Sequence, residues 1–514
     1  MKKIWIICLS ILTGIVLVVL LAANLLVTGE RIADYVNREL GEDFVVTISE
    51  ASLNPFTATL SIKNAEVKRT AGEADHLLFN AKDLEIGRIG IIAAARGDID
   101  VGDLTLNEFY LDSKALQRGI ETGSIGENTA SLRIGRIKLN YGDIFFTAGG
   151  DGKGEINNIM FEAGLFDYPS NCEDCNPLDY LQNIQAEIPG IRYSAADGYY
   201  VMTGKNITVS EDQAVVDIGT LSLDPAMSDD EFLNVLEYRT DYFRFTLSGL
   251  SFASVGFDGL RSGDELTAVS ASLDSLDLHV TFDKRLPAEP DKEKVKMPAE
   301  LLRDIPVRLA LDTLEVHHAD IYYSEYASDG ERPGTILFAE TDILATNMDN
   351  RSGKTAYINS RSLLEGEGTL HAEFRMPQGQ DSLVAAVKGS LGDFDVTLLN
   401  NIFEDLEGLR IRDGFIHDLE FDYQMMEDRA EGIFEVRYEN FTVELIDKVG
   451  HDQNMLDVIG SFFFDRIGIR SASDSGGDSY TTGEISGERD EKKGFFDYLW
   501  TSLRSGIFDV VRRI

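Results

Sequence analysis

Two of the three cysteines, Cys172 and Cys175, are the residues best spaced for covalent chemistry, as Cys-Glu-Asp-Cys between Pro169 and Pro177. In an oxidising compartment such a pair closes a small disulfide loop or stays as free thiols. Zinc needs a second pair of ligands, and the sequence offers none at the usual spacing. Redox chemistry needs a lowered thiol pKa, and Glu173 and Asp174 work against it. The seven histidines are scattered. His317 and His318 are adjacent, so in a regular strand they face opposite sides and cannot share a metal ion. No His-x-x-x-His, Gly-x-Ser-x-Gly or phosphate-loop lysine motif is present. Gly149-Gly-Asp-Gly-Lys-Gly154 lacks the following Ser or Thr and reads as a turn. The acidic stretch Asp474 to Asp478 lacks a full calcium-loop pattern. These residues predict a protein that is not an enzyme, with no catalytic residue, no metal and no cofactor.

The remaining chemistry is that of apolar surface. Ala58, Leu60 and Ile62 alternate with polar residues, and so do Leu276, Leu278, Val280 and Phe282. This is the pattern of strands with one dry and one wet face. A dry face left open can shelter acyl chains, at about 0.8 kcal/mol per buried methylene. Candidate groove positions are Leu60, Ile62, Leu104, Leu106, Ile137, Leu139, Leu276, Leu278, Val280, Leu314 and Val316. The alternative is that the same side chains fill a closed core, and alternation alone does not separate the two.

The elements that would position such a face are legible. The 514 residues carry 88 acidic and 47 basic side chains, a formal charge of −41, with 43% hydrophobic residues. That excess repels nucleic-acid phosphate but leaves ample material for a core. Ile4 to Val27 is an uncharged run preceded by Lys2 and Lys3. It is long enough to cross a bilayer as a helix, with the N-terminus cytoplasmic by the positive-inside rule. It is longer than the apolar region of a cleaved signal peptide, and Leu21-Ala22-Ala23 matches a cleavage site poorly. At the other end, Phe496, Leu499, Trp500, Leu503, Ile507 and Val510 recur every three or four residues beside Lys492, Lys493 and Arg504. That is a cationic amphipathic helix, fitted either to cap the edge of the sheet or to meet a membrane or partner.

Between the ends the chain resembles itself. Leu132 to Thr147 aligns without a gap on Leu309 to Ser324, and Leu78 to Leu84 aligns on Leu337 to Ile343. In each unit a strand ends, an Asp follows Gly or Ala, and a new apolar run begins. The slip between Ile134 and Ile137 needs a bulge to keep both on one face. The predicted organisation is a stub and transmembrane anchor over 1–28, a short helix over 29–41, and a β-groove region over 42–285. A Pro-rich charged linker and short helix follow over 286–304, then a second β-groove region over 305–490 and the amphipathic helix over 491–514. A body of this length would hold about 30 strands of ordinary length.

The stretches SLNPFTATLSIKNAEV (52–67), LLFNAKDLEIG (77–87) and VGDLTLNEFYLD (101–112), after an anchor and short helix, resemble the opening of the AsmA-like family. Residues 281–325 and 483–507 are similar to uncharacterised AsmA-like proteins of the Bacteroidetes type. The resemblance implies a mainly β fold: an N-terminal transmembrane helix, an elongated, bent antiparallel sheet forming a groove, and a C-terminal amphipathic helix. It implies a location in the bacterial inner membrane, single-pass, with the body in the periplasm. It implies phospholipid as ligand, movement of lipid between membranes or outer-membrane homeostasis as role, and an outer-membrane or envelope protein as a possible partner. The alternative is a structural or assembly scaffold of closed β-sandwich domains.

Overall fold

The computed structural model describes residues 28–40, 44–70, 76–90, 93, 98–113, 131–148, 150–169, 176–290, 293–328, 330–379, 383–406, 408–446 and 480–513. The predicted anchor, Cys172, Cys175 and the Asp474–Asp478 stretch lie outside them. Among the described residues no helix is long and apolar enough to cross a membrane. The chain is mainly β, with 21 strands assigned to one mixed sheet. It divides into two compact units, residues 1–221 with 254–263, and residues 222–253 with 264–514.

The first unit begins with helix α1 (Gly29–Leu40), whose Ile32 and Val36 are buried. Strands β1 (Phe44–Asn54), β2 (Thr59–Arg69), β3 (His76–Ile89) and β4 (Ile99–Asp112) follow as an antiparallel meander. β5 (Leu132–Ala148) then pairs with β4 in parallel, Val101 opposite Ile134 and Leu104 opposite Ile137. β6 (Gly152–Ala163) returns against β5 through the predicted turn, Ala148 facing Gly152. Short β7 (Leu165–Tyr168) and β8 (Leu181–Gln182) cover the start of β5. β9 (Gln185–Ser194) and β10 (Tyr200–Ser210) extend the sheet from β6. β11 (Val215–Pro225) carries the chain out of the unit.

The second unit contains α2 (Asp229–Val235), which opens with a capping box between Ser228 and Glu231. β12 (Asp241–Ala253) precedes α3 (Phe257–Ser262), whose residues belong to the first unit. There Asn176 Nδ2 donates to Arg261 O at 3.0 Å. β13 (Glu265–Asp283) pairs antiparallel with β12 and parallel with β14 (Arg308–Tyr326). Helix α4 (Pro298–Asp304) lies between them in sequence. β15 (Pro333–Asp349), β16 (Thr355–Leu364), β17 (Gly368–Pro377) and β18 (Leu383–Asp395) form a meander. After α5 (Asn400–Leu406), it continues through β19 (Leu409–Met426), β20 (Arg429–Leu445) and β21 (Thr481–Glu488). Helix α6 (Phe495–Arg513) ends the chain.

Three expectations need correction. The sheet is mixed, not antiparallel: among the described strands β4 pairs with β5, and β13 with β14, in parallel. Parallel neighbours need a crossover of about a dozen residues or more, and the Pro-rich segment 286–304 lies within that crossover between β13 and β14. It docks inside the second unit, where Val295 N donates to Glu491 O at 2.8 Å and Arg489 donates to Val295 O at 2.8 Å. The segments before Asp143 and Asp320 do not end strands, because β5 and β14 run straight through them. The described strands are also long, with β13 and β14 reaching 19 residues each.

One bulge lies within β5 and a second, at the aligned positions, within β14. Pairing of β5 with β6 shifts between Leu139 and Gly142 and again before Ile144. Pairing of β14 with β15 shifts at the aligned positions, between Val316 and Ala319 and before Ile321. Tyr141 (φ 56°) and His318 (φ 50°) hold the left-handed conformation. Across from them, Asp143 Oδ1 accepts from Asn158 N at 3.0 Å, and Asp320 Oδ1 accepts from Glu340 N at 2.9 Å. Asn158 (φ 54°) and Glu340 (φ 46°) are themselves left-handed. The aspartate thus satisfies a ladder N–H that the bulge releases. The preceding residue must be small: a Cβ on Gly142 would meet the Phe109 ring at 1.9 Å, and its counterpart Ala319 is fully buried.

Candidate functional site

The dry face of the sheet is covered in some places and open in others. In the first unit Ile32 and Val36 of α1 belong to a core with Leu60, Ile62, Ile86, Val101, Ile134 and Ile137, all 5% exposed or less. Leu104, Leu106 and Leu139 pack against it, partly buried. Pairing runs from Val101–Ile134 to Asp103–Arg136 past Gly102 and Gly135, so the slip between Ile134 and Ile137 is absorbed and both stay buried. Farther along the sheet the cover stops. Ile188, Ile191, Ile207 and Val209 of β9 and β10 are half-buried, as is every residue of β11.

The second unit repeats the contrast. A filled core joins Leu391, Phe394, Phe421, Tyr423, Met425 and Phe434 to Tyr498 and Val510 of α6. On β13, Leu276, Leu278 and Val280 are only half-buried. They stand opposite Leu247, Phe245 and Phe243 of β12 and Ala319, Ile321 and Tyr323 of β14. Leu276 and Leu314 lean on a small cluster of Leu273, Val316 and Ala319. Of the candidate groove positions, Leu60, Ile62, Ile137 and Val316 are therefore buried, whereas Leu278 and Val280 are half-buried.

Polar groups close the ends of β13 and β14. Tyr323 Oη donates to Glu325 Oε2 at 2.8 Å, and Lys284 pairs with the same carboxylate. Burial, and then the Glu325 charge, push the Tyr323 hydroxyl well above its ordinary range. Arg285 forks onto buried Asp283, 2.8 Å from Oδ2, and lies 3.8 Å over the Tyr326 ring. Charges this enclosed persist because each is paired.

Helices α1 and α6 seal strand edges. Asn37 of α1 accepts from Val46 N at 2.6 Å and donates to Val46 O at 3.1 Å. On α6, Asp509 accepts from Glu484 N at 2.8 Å, and Ser505 accepts from Ser486 N at 3.0 Å. Edge groups that would template another strand are thus occupied. Leu499, Leu503 and Ile507 face the filled core, and burial pushes the Tyr498 hydroxyl up to about 12. Phe496 (76% exposed) and Trp500 (46%) point away from it. The α6 aromatics therefore split between capping and an exposed face, which helical periodicity alone could not divide.

Two shallow depressions have polar linings, one including Arg332, Asn400 and Glu404 and the other Arg88, Arg136 and Glu162. Among the described residues no group of His, Cys, Asp and Glu is placed to hold a metal ion. The bulge at His318 breaks the strand alternation assumed for the histidine pair, and both rings are exposed. Sequence reading missed Ile188, Ile191, Ile207 and Val209, whose alternation is interrupted by Pro189, Gly190 and left-handed Asn206. No family model, no curated protein and no solved structure matches this chain.

Proposed function

We propose that this protein is a non-enzymatic envelope protein that shelters lipid acyl chains on the open part of its dry face, in the manner of the AsmA-like family its sequence resembles. Residues 4–27 would hold it in the inner membrane with the body in the periplasm, and the strands would curve into an elongated groove. The observation that supports this reading is the half-burial of Leu276, Leu278 and Val280 on the same sheet as fully buried cores. Acyl chains laid there would complete the burial, at about 0.8 kcal/mol per methylene. A scaffold role has one observation in its favour, the filling of both large cores by side chains.

The test is lipid capture by the full chain purified in mild detergent. Mass spectrometry should find co-purifying phospholipid, and a photoreactive residue in place of Leu278 should crosslink to it. The same residue in place of Leu391 should not. Leu278→Asp should yield folded protein without bound lipid. Absence of lipid from the wild-type protein, and of exchange between labelled vesicles, would leave the scaffold.

A further inference from the structure

The largest exposure of any large apolar side chain in the described residues belongs to Phe56, at 97%. It sits at the tip of the β1–β2 hairpin, in Asn54-Pro-Phe-Thr-Ala-Thr59, six residues without a charge. The tip is built to hold it out. Asn54 Oδ1 accepts from Phe56 N at 3.0 Å and from Thr57 N at 3.4 Å, and Pro55 restricts the backbone between them. Ala58 takes a left-handed φ of 48°, and its carbonyl accepts from Ile89 N at 3.1 Å. The end of β3 therefore braces the base of the turn. An aromatic ring displayed on a braced, uncharged loop, with no core to pack against, is suited to an apolar medium outside the chain.

The position of α1 says where that medium would be. A Cβ on Gly29 would meet Ile48 O at 2.7 Å, while Asn37 binds Val46. Because β1 runs from Phe44 toward Asn54, the N-terminal end of α1 lies on the hairpin-tip side. Asn54 lies six residue steps beyond Ile48, roughly 20 Å at about 3.3 Å each. The uncharged run Ile4 to Val27 ends directly before Thr28. β3 also reaches its end beside this tip, at Ile89.

We infer that the Asn54–Thr59 hairpin tip docks into the interface of the bilayer entered by residues 4–27, with the Phe56 ring as the inserted group. The inference rests on the membrane-anchored reading above. A second contact beside the anchor would fix the orientation of the first unit on the membrane, because one helix alone leaves the body free to rotate about it.

The experiment uses the full chain in phospholipid vesicles, on a Trp500→Phe background, so that Trp5 alone reports the apolar run. Phe56→Trp should add emission quenched by lipids brominated close to the headgroup more than by lipids brominated near the acyl end. This follows because interfacial groups settle about 5–10 Å deep. Val45→Trp, exposed at the far end of β1, should add emission that neither lipid quenches. If Trp5 is quenched but Phe56→Trp behaves like Val45→Trp, the docking is wrong and the anchor stands. A blue-shifted Phe56→Trp signal without bromine quenching points to a protein contact and also overturns it. Loss of quenching at Trp5 itself removes the anchor and the docking together.

Discussion

Leu278 and Leu391 are the same residue type in the same unit, and replacing each by alanine should have different consequences. Leu391 is 5% exposed within the core of β18, β19 and β20, whereas Leu278 is half-buried. Each truncation removes the equivalent of about three methylenes, roughly 2.4 kcal/mol of transfer free energy when burial is complete. At Leu391 a cavity cost adds to this, giving about 3–4 kcal/mol. At Leu278 part of the side chain already meets solvent and no closed cavity forms, so the expected loss is about 1–2 kcal/mol. Urea denaturation followed by far-ultraviolet circular dichroism measures both, provided the slope with denaturant is unchanged. Equal losses, with Leu278→Ala at 3 kcal/mol or more, would mean that the β13 face is packed. No acyl chain could then be sheltered there. A soluble, folded Leu278→Asp beside an insoluble Leu391→Asp would point the same way as unequal losses.

Other parts of the structure make equally definite expectations. Asn37→Ala strips both hydrogen bonds from Val46 and should cost about 1–3 kcal/mol, with faster exchange of the Val46 amide by NMR. Gly483→Ala places a Cβ 2.3 Å from Gly506 O and 2.9 Å from Val510 Cγ2, so α6 must lift from β21. The expected cost is about 1–3 kcal/mol, read as a lower thermal midpoint and new protease sensitivity in residues 495–513. Burial raises the Glu365 carboxyl above its ordinary range, offset in part by the N–H of Leu337. The folded chain therefore binds this proton more readily than the unfolded one. Its stabilising contribution is complete below the unfolded pKa and is lost as pH rises through the folded value. Glu365→Gln should accordingly be more stable than wild type at pH 7, with the difference vanishing below about pH 4. A thermal-midpoint series across that range would refute it by showing no convergence.

The strand character of the body was legible because alternation with period two needs no knowledge of the partner strand. The duplication was legible too. The gapless alignment of residues 132–147 on 309–324 superposes two bulges, with Tyr141 on His318 and Asp143 on Asp320. The meaning of those bulges was not legible. A Gly-Asp or Ala-Asp step looks like a strand end, and only the partner strand shows the aspartate accepting a ladder N–H while the strand continues. The parallel pairs were hidden for a related reason. The segment 286–304 has the composition of a linker, and composition does not say whether a chain leaves one body for another or crosses over within one.

For the candidate site the division follows the range of the forces. Local sequence determined which residues face the dry side, because side chains alternate along any strand, and it determined that α6 is amphipathic, because its apolar residues recur at the helical period. Tertiary structure alone decided what lies on top of that dry side. Leu60 and Leu278 share the same alternation, yet one is sealed in a core with α1 and the other stays half-buried. Likewise Leu503 and Trp500 belong to one apolar stripe, and only the place where β20 and β21 meet the helix turns Leu503 inward and leaves Trp500 exposed. Burial depends on neighbours brought from distant parts of the chain, and no local period encodes which of them arrive.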